Sequence, residues 1–154
     1  MKVTVFSSNQ ARHISLVGEL GKIADQVFYI SEVNTIFPGK IADFFKKSAV
    51  MQQYFENVIK SEKNVFGDIR FLPNNVRTLA VKSGDLNLLY REQLQDALES
   101  DVYLVFGASY IKGWLIDFLV KNNALNIHMG ISPYYRGSSC NFWALYDNNP
   151  SYVG

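Results

Sequence analysis

Val102-Tyr103-Leu104-Val105-Phe106, followed at once by Gly107-Ala108-Ser109, is the stretch on which the fold turns. Five apolar β-branched, aromatic or leucine side chains in succession show no alternation. A strand of that kind is covered on both faces, as the strands of parallel sheets are. Downstream, the pattern predicts a short helix over Trp114 to Val120, a strand over Ala124 to Ile127, and the start of another helix over Cys140 to Tyr146. Upstream, Arg91 to Leu98 reads as a helix after the turn Ser83-Gly84-Asp85, and Thr78 to Val81 as a strand after the loop Pro73-Asn74-Asn75. Asp43 to Lys60 carries Phe44, Phe45, Val50, Met51, Tyr54, Phe55, Val58 and Ile59 and is predicted helical, after the turn signal Pro38-Gly39 within Asn34 to Gly39. Val27 to Ile30 is a strand. Ile14, Leu16, Val17, Leu20 and Ile23 recur at helical spacing, so Ala11 to Ala24 is an amphipathic helix, preceded by a first strand at Val3 to Phe6. Strands alternating with helices predict a doubly wound α/β domain with a mostly parallel sheet.

The 154 residues suit one domain, and neither an internal repeat nor a linker divides them. Fifteen Lys and Arg against 14 Asp and Glu leave a formal charge of +1, so no global basic field points to nucleic acid. The one cysteine, Cys140, excludes an internal disulfide, and no Cys and His cluster has metal spacing. The apolar start at Val3 to Phe6 is too short for a signal peptide, and no run approaches the ~20 apolar residues that span a bilayer. A cytoplasmic setting is expected.

Ligands of open α/β sheets sit beyond the carboxyl ends of the strands. Ser7 to Arg12, Gly107 to Lys112 and His128 to Gly137 fall there; all three are polar, and the last two contain glycine. The most informative segment is Asn126-Ile127-His128-Met129-Gly130-Ile131-Ser132-Pro133-Tyr134-Tyr135-Arg136-Gly137. Strand alternation puts Asn126 and His128 on one face. An amide N–H can stabilise a developing oxyanion, and an imidazole can donate, accept or carry a proton near neutral pH. By spacing alone, the two read more readily as satisfied polar groups ending a strand, since functional groups are a minority of polar strand ends.

Asn126-x-His128, then Ser132-Pro133 and Tyr135-Arg136-Gly137, resembles the hallmark of the 10-formyltetrahydrofolate-dependent formyltransferases, with Ile131-Ser132-Pro133 in place of the more usual Leu-Leu-Pro. Val105 to Ile111 resembles the strand and loop that wrap the pteridine in that family. The resemblance is specific over Asp101 to Gly154. Over Met1 to Ser100 it rests on element order and on Ser83-Gly84-Asp85-Leu86-Asn87. It implies that Asn126 and His128 are catalytic, that Gly107, Ala108, Ser109, Tyr110 and Ile111 bind the folate, and that 10-formyltetrahydrofolate is the co-substrate, with no metal. The implied reaction is formyl transfer to a primary amine, expected to be an amino-sugar nucleotide or similar small molecule. The alternatives are a formyltetrahydrofolate hydrolase or a non-catalytic folate- or nucleotide-binding module. The resemblance also implies a third catalytic residue, an Asp, beyond Gly154. On that expectation, residues 1–154 are an N-terminal catalytic domain, C-terminally incomplete, with an exposed sheet edge. Neither nucleic acid nor membrane is an expected partner; a homo-oligomer is compatible with the sequence.

The remaining signals are weaker. Asn9 and Arg12, where the first strand meets the first helix, read either as acceptor-binding groups or as a cap and a solvated charge. The segment lacks the glycine-rich loop of the ribonucleotide transformylases. Arg136 reads as a substrate-phosphate ligand or a loop brace. Cys140 is expected to be a buried small residue rather than a nucleophile, His13 a surface residue, and Phe142, Trp143, Leu145 and Tyr146 a packing face.

Overall fold

A computed structural model describes residues 1–36, 40–41, 43–68 and 70–154. The elements are β1 (Lys2–Ser8), α1 (Ala11–Ile23), β2 (Gln26–Val33), β3 (Thr35–Ile36), β4 (Lys40–Ile41), α2 (Ala49–Phe66), β5 (Val76–Lys82), β6 (Val102–Phe106), α3 (Trp114–Lys121), β7 (Leu125–Ile127) and α4 (Cys140–Tyr146). Five strands form one all-parallel sheet in the order β5-β2-β1-β6-β7, while β3 and β4 make a small antiparallel pair. The chain winds outward from β1 through β2 to β5, then crosses back to β6 and β7. The winding therefore reverses between β1 and β6, the position at which open sheets of this kind bind ligands beyond the strands' carboxyl ends.

Alternation along the strands divides the core in two. Phe6, Phe28, Ile30 and Tyr103 face one side and meet Leu86, Leu94, Ala97, Leu115 and Leu119 from the β5–β6 connection and α3. Val3, Val5, Val27, Tyr29 and Leu104 face the other and meet Val17 of α1. Adjacent Tyr103 and Leu104 lie in opposite clusters, as a strand covered on both faces requires.

Two expected helices differ from the sequence reading. The segment expected as one helix over Asp43 to Lys60 is a 3₁₀ turn at Phe44–Lys46 followed by α2 at Ala49–Phe66. The Ser48 hydroxyl accepts from the Met51 N–H at 3.4 Å and restarts the helix there. Gly67, at φ +79°, ends it at Phe66, six residues beyond the expected end at Lys60. Arg91–Glu99 is a 3₁₀ helix. Its buried residues, Leu94 and Ala97, are three apart, and three residues per turn keeps both on one face. The Pro38-Gly39 turn signal lies outside the described residues.

Candidate functional site

The carboxyl ends of β1, β6 and β7 converge on the three segments singled out by sequence. β6 and β7 run parallel with Val105 opposite Asn126 and Phe106 opposite Ile127. The loop from Gly107 and the residue His128 thus leave neighbouring strands side by side. Asn126 and His128 are both exposed. The His128 Nδ1 lies 3.3 Å from the Gly130 N–H and 3.1 Å from the Gly130 carbonyl oxygen. Its Nε2 lies 3.9 Å from the Cys140 sulfur, which itself donates to the Gly137 carbonyl oxygen at 3.4 Å. A thiol that spends its proton on Gly137 turns a lone pair toward His128. Nδ1 accepts from the Gly130 N–H in one tautomer and donates to the Gly130 carbonyl oxygen in the other.

Cys140 is buried, as expected, and its contact with His128 is what sequence reading missed. It supports the His128–Gly137 loop from beneath. At Gly130 a Cβ would stand 2.5 Å from the Cys140 Cβ and 2.8 Å from the Tyr135 carbonyl oxygen, so only glycine permits this close approach. Farther along, the Tyr135 hydroxyl donates to Asp147 at 3.0 Å and accepts from the Asn149 side chain at 3.0 Å. Arg136 is exposed. The four large side chains of α4 expected to pack are 49–73% exposed, and Phe142, Trp143 and Tyr146 rest mainly on one another. With β7 at the sheet edge and all three of its residues exposed, no described element lies over them.

In the loop after β6, Gly107 takes φ +65°. Ala108 and Ile111 pack on the core, and the Tyr110 ring is 85% exposed. Much of the loop's polarity is already engaged. The Ser109 N–H and hydroxyl both donate to Glu32, and Asn87 takes the Lys112 N–H and donates to the Tyr110 carbonyl oxygen. What the loop leaves open is the exposed Tyr110 ring.

At the head of α1, Asn9 accepts from the Asn34 N–H at 3.1 Å, and Arg12 is ion-paired with Glu62 of α2. Both sequence candidates for acceptor binding therefore carry structural contacts. His13, expected at the surface, is instead buried at 2% exposure. It lies one helical turn before the buried Val17, on the face that α1 turns to the sheet. Its Nδ1 accepts from the Gln10 N–H at 3.3 Å, and its ring meets Phe106 edge-on at 4.7 Å.

Burial, with a smaller contribution from neighbouring Arg12, pushes the His13 pKa down to about 3. The unfolded imidazole titrates near 6.5, so between about 3 and 6.5 the unfolded state binds more protons than the folded one. Stability therefore falls as pH drops through that window, by up to about 1.4 kcal/mol per pH unit. Urea midpoints at pH 7 and pH 4.5 should separate more for the wild-type chain than for His13→Gln. Equal separations would refute this role for His13.

Neither a family model nor a curated protein matches the chain. Solved structures do. A phosphoribosylglycinamide formyltransferase from Anaplasma phagocytophilum superposes with a TM-score of 0.50 at 17% identity, covering 96% of this chain and 58% of its own. Glycinamide ribonucleotide transformylase 1 from Geobacillus kaustophilus gives 0.52 at 15% identity, covering 95% of this chain and 67% of its own. The chain thus spans little more than half of the first enzyme's length. At such identities the likeness is one of fold: the chain has a parallel, doubly wound α/β architecture similar to that of these transformylases.

Proposed function

We propose that this chain carries the folate-side and catalytic-pair elements of a formyl transfer from 10-formyltetrahydrofolate to a primary amine. The observation that carries the reading is the side-by-side exit of Gly107–Ile111 and Asn126-x-His128 from adjacent parallel strands. In the proposed reaction the amine nitrogen bonds to the formyl carbon, and the carbonyl oxygen becomes an oxyanion. Asn126 donates to that oxygen, and His128 donates to it or holds a proton beside it. Collapse breaks the bond from the formyl carbon to the folate nitrogen, which takes up the proton that the amine gives up. Gly107–Ile111, with the exposed Tyr110 ring, would hold the heterocycle.

The acceptor we favour is an amino-sugar nucleotide or similar small amine. Ser7 to Arg12 contains no glycine, and the pairing of Arg12 with Glu62 leaves that segment poorly suited to the ribonucleotide acceptors named for the two transformylases. The near-neutral charge argues against tRNA.

A reduced-folate analogue at a hundred times its Kd should stabilise the chain by about 2.7 kcal/mol and raise its Tm by several degrees. Amide shifts should concentrate in 107–111. Unchanged Tm and unchanged amides at saturation would sink the pocket assignment. Formyl release measured with and without candidate amines separates transfer from hydrolysis.

A further inference from the structure

Glu32 ends the buried part of β2 at 1% exposure. Among the described residues no Lys, Arg or His forms an ion pair with it. Its carboxylate is compensated instead by three donors from two other segments. The Gly84 N–H reaches Oε1 at 2.8 Å, the Ser109 hydroxyl reaches Oε1 at 2.7 Å, and the Ser109 N–H reaches Oε2 at 2.5 Å. A carboxylate accepts only, so it can gather donors that would otherwise be left unpaired in a buried place. Beside it, Asn87 bonds both sides of its amide to the far end of the same loop, at Tyr110 and Lys112. The turn Ser83-Gly84-Asp85 and the loop from Gly107 come from the carboxyl ends of β5 and β6, on opposite sides of β1 and β2 in the sheet. Glu32 is the group that spans between them.

We propose that Glu32 is a positioning residue for the ligand loop Gly107–Ile111: by fixing both polar groups of Ser109 it sets the loop's shape before any ligand arrives, and so governs affinity on the folate side. The identity of that ligand rests on the proposed function; the positioning role does not. Holding a loop in its binding shape removes an ordering cost from association, which is felt in affinity rather than in the chemical step.

Glu32→Gln is the direct test. One carboxylate oxygen becomes an NH₂, so a donor faces the Ser109 and Gly84 donors. Hydrogen–deuterium exchange should rise at 83–87 and 107–112 while 3–8 and 27–30 stay protected. The Kd for a reduced-folate analogue, and the KM where turnover is measurable, should rise about tenfold, with kcat changed less than about threefold. Unchanged exchange in both segments, or a kcat loss at constant KM, would overturn the proposal. Faster loop exchange in the variant, with no folate binding even by the wild-type chain, would uphold the positioning role and reject the folate reading instead. If Glu32→Gln exchanges faster everywhere, Ser109→Ala decides, since it deletes only the hydroxyl bond. A rise confined to 107–112 upholds the role, and no change there rejects it.

Discussion

His128→Ala is expected to lower the rate of formyl transfer about a hundredfold or more, the scale on which enzymes lose a single oxyanion donor or acid–base group. The fold should survive the change. His128 is exposed, and the contacts it gives up are those to the Gly130 backbone and the Cys140 sulfur, so the loss of stability should stay within about 1 kcal/mol. Tm and far-UV circular dichroism establish that the variant is folded, and single-turnover rates at saturating folate and amine read the chemical step. A variant that is folded and turns over at the wild-type rate would remove His128 from the mechanism. A drop in rate matched by a similar drop in folate affinity would point to collapse of the loop that Cys140 supports.

How much of this was legible in the sequence depends on the range of the interactions involved. β6 was readable to the residue because five uninterrupted apolar side chains carry the whole signal locally, and α3 and α4 were nearly so. The order of strands and helices then left few ways to connect them. The positions of Gly107–Ile111 and His128 at strand carboxyl ends were readable too, since each directly follows an apolar strand, and Asn126 is tied to His128 by alternation along β7. His13 carried a signal that went unused: it stands four residues before Val17, on the face that α1 buries. A polar residue type outweighed a correct period. Glu32 had no local signal of its role. Its donors lie 52 and 77 positions away, and a charged residue after Ile30 reads simply as a strand end. Arg12 is similar, because its partner Glu62 is 50 positions distant. Long-range polar pairing is invisible to periodicity, and it decides which candidate site residues are already engaged.

Gly107→Ala should cost about 2–4 kcal/mol of stability. Two effects add. At φ +65° an alanine is in the left-handed region, which disfavours any side chain with a Cβ by roughly 1 kcal/mol. The new methyl would also stand 2.5 Å from the His13 Nε2, 3.2 Å from its Cε1 and 3.4 Å from its Cδ2. The imidazole has little room to yield, being buried and held by the Gln10 N–H on one side and the Phe106 ring on another. The strain therefore passes to the backbone of β6 and of the loop that follows it, where the ligand segment begins. For a chain of this length the Tm should fall by roughly 5–10 °C. A double mutant separates the two causes. His13→Ala alone leaves a cavity and destabilises; combined with Gly107→Ala it gives the new methyl somewhere to go. The pair should then be clearly less destabilised than the sum of the single changes, with the backbone cost at φ +65° remaining. Strict additivity would mean that His13 and Gly107 do not meet. A Gly107→Ala chain within about 0.5 kcal/mol of wild type would mean that the close approach of Gly107 to His13 is not a feature of the folded protein.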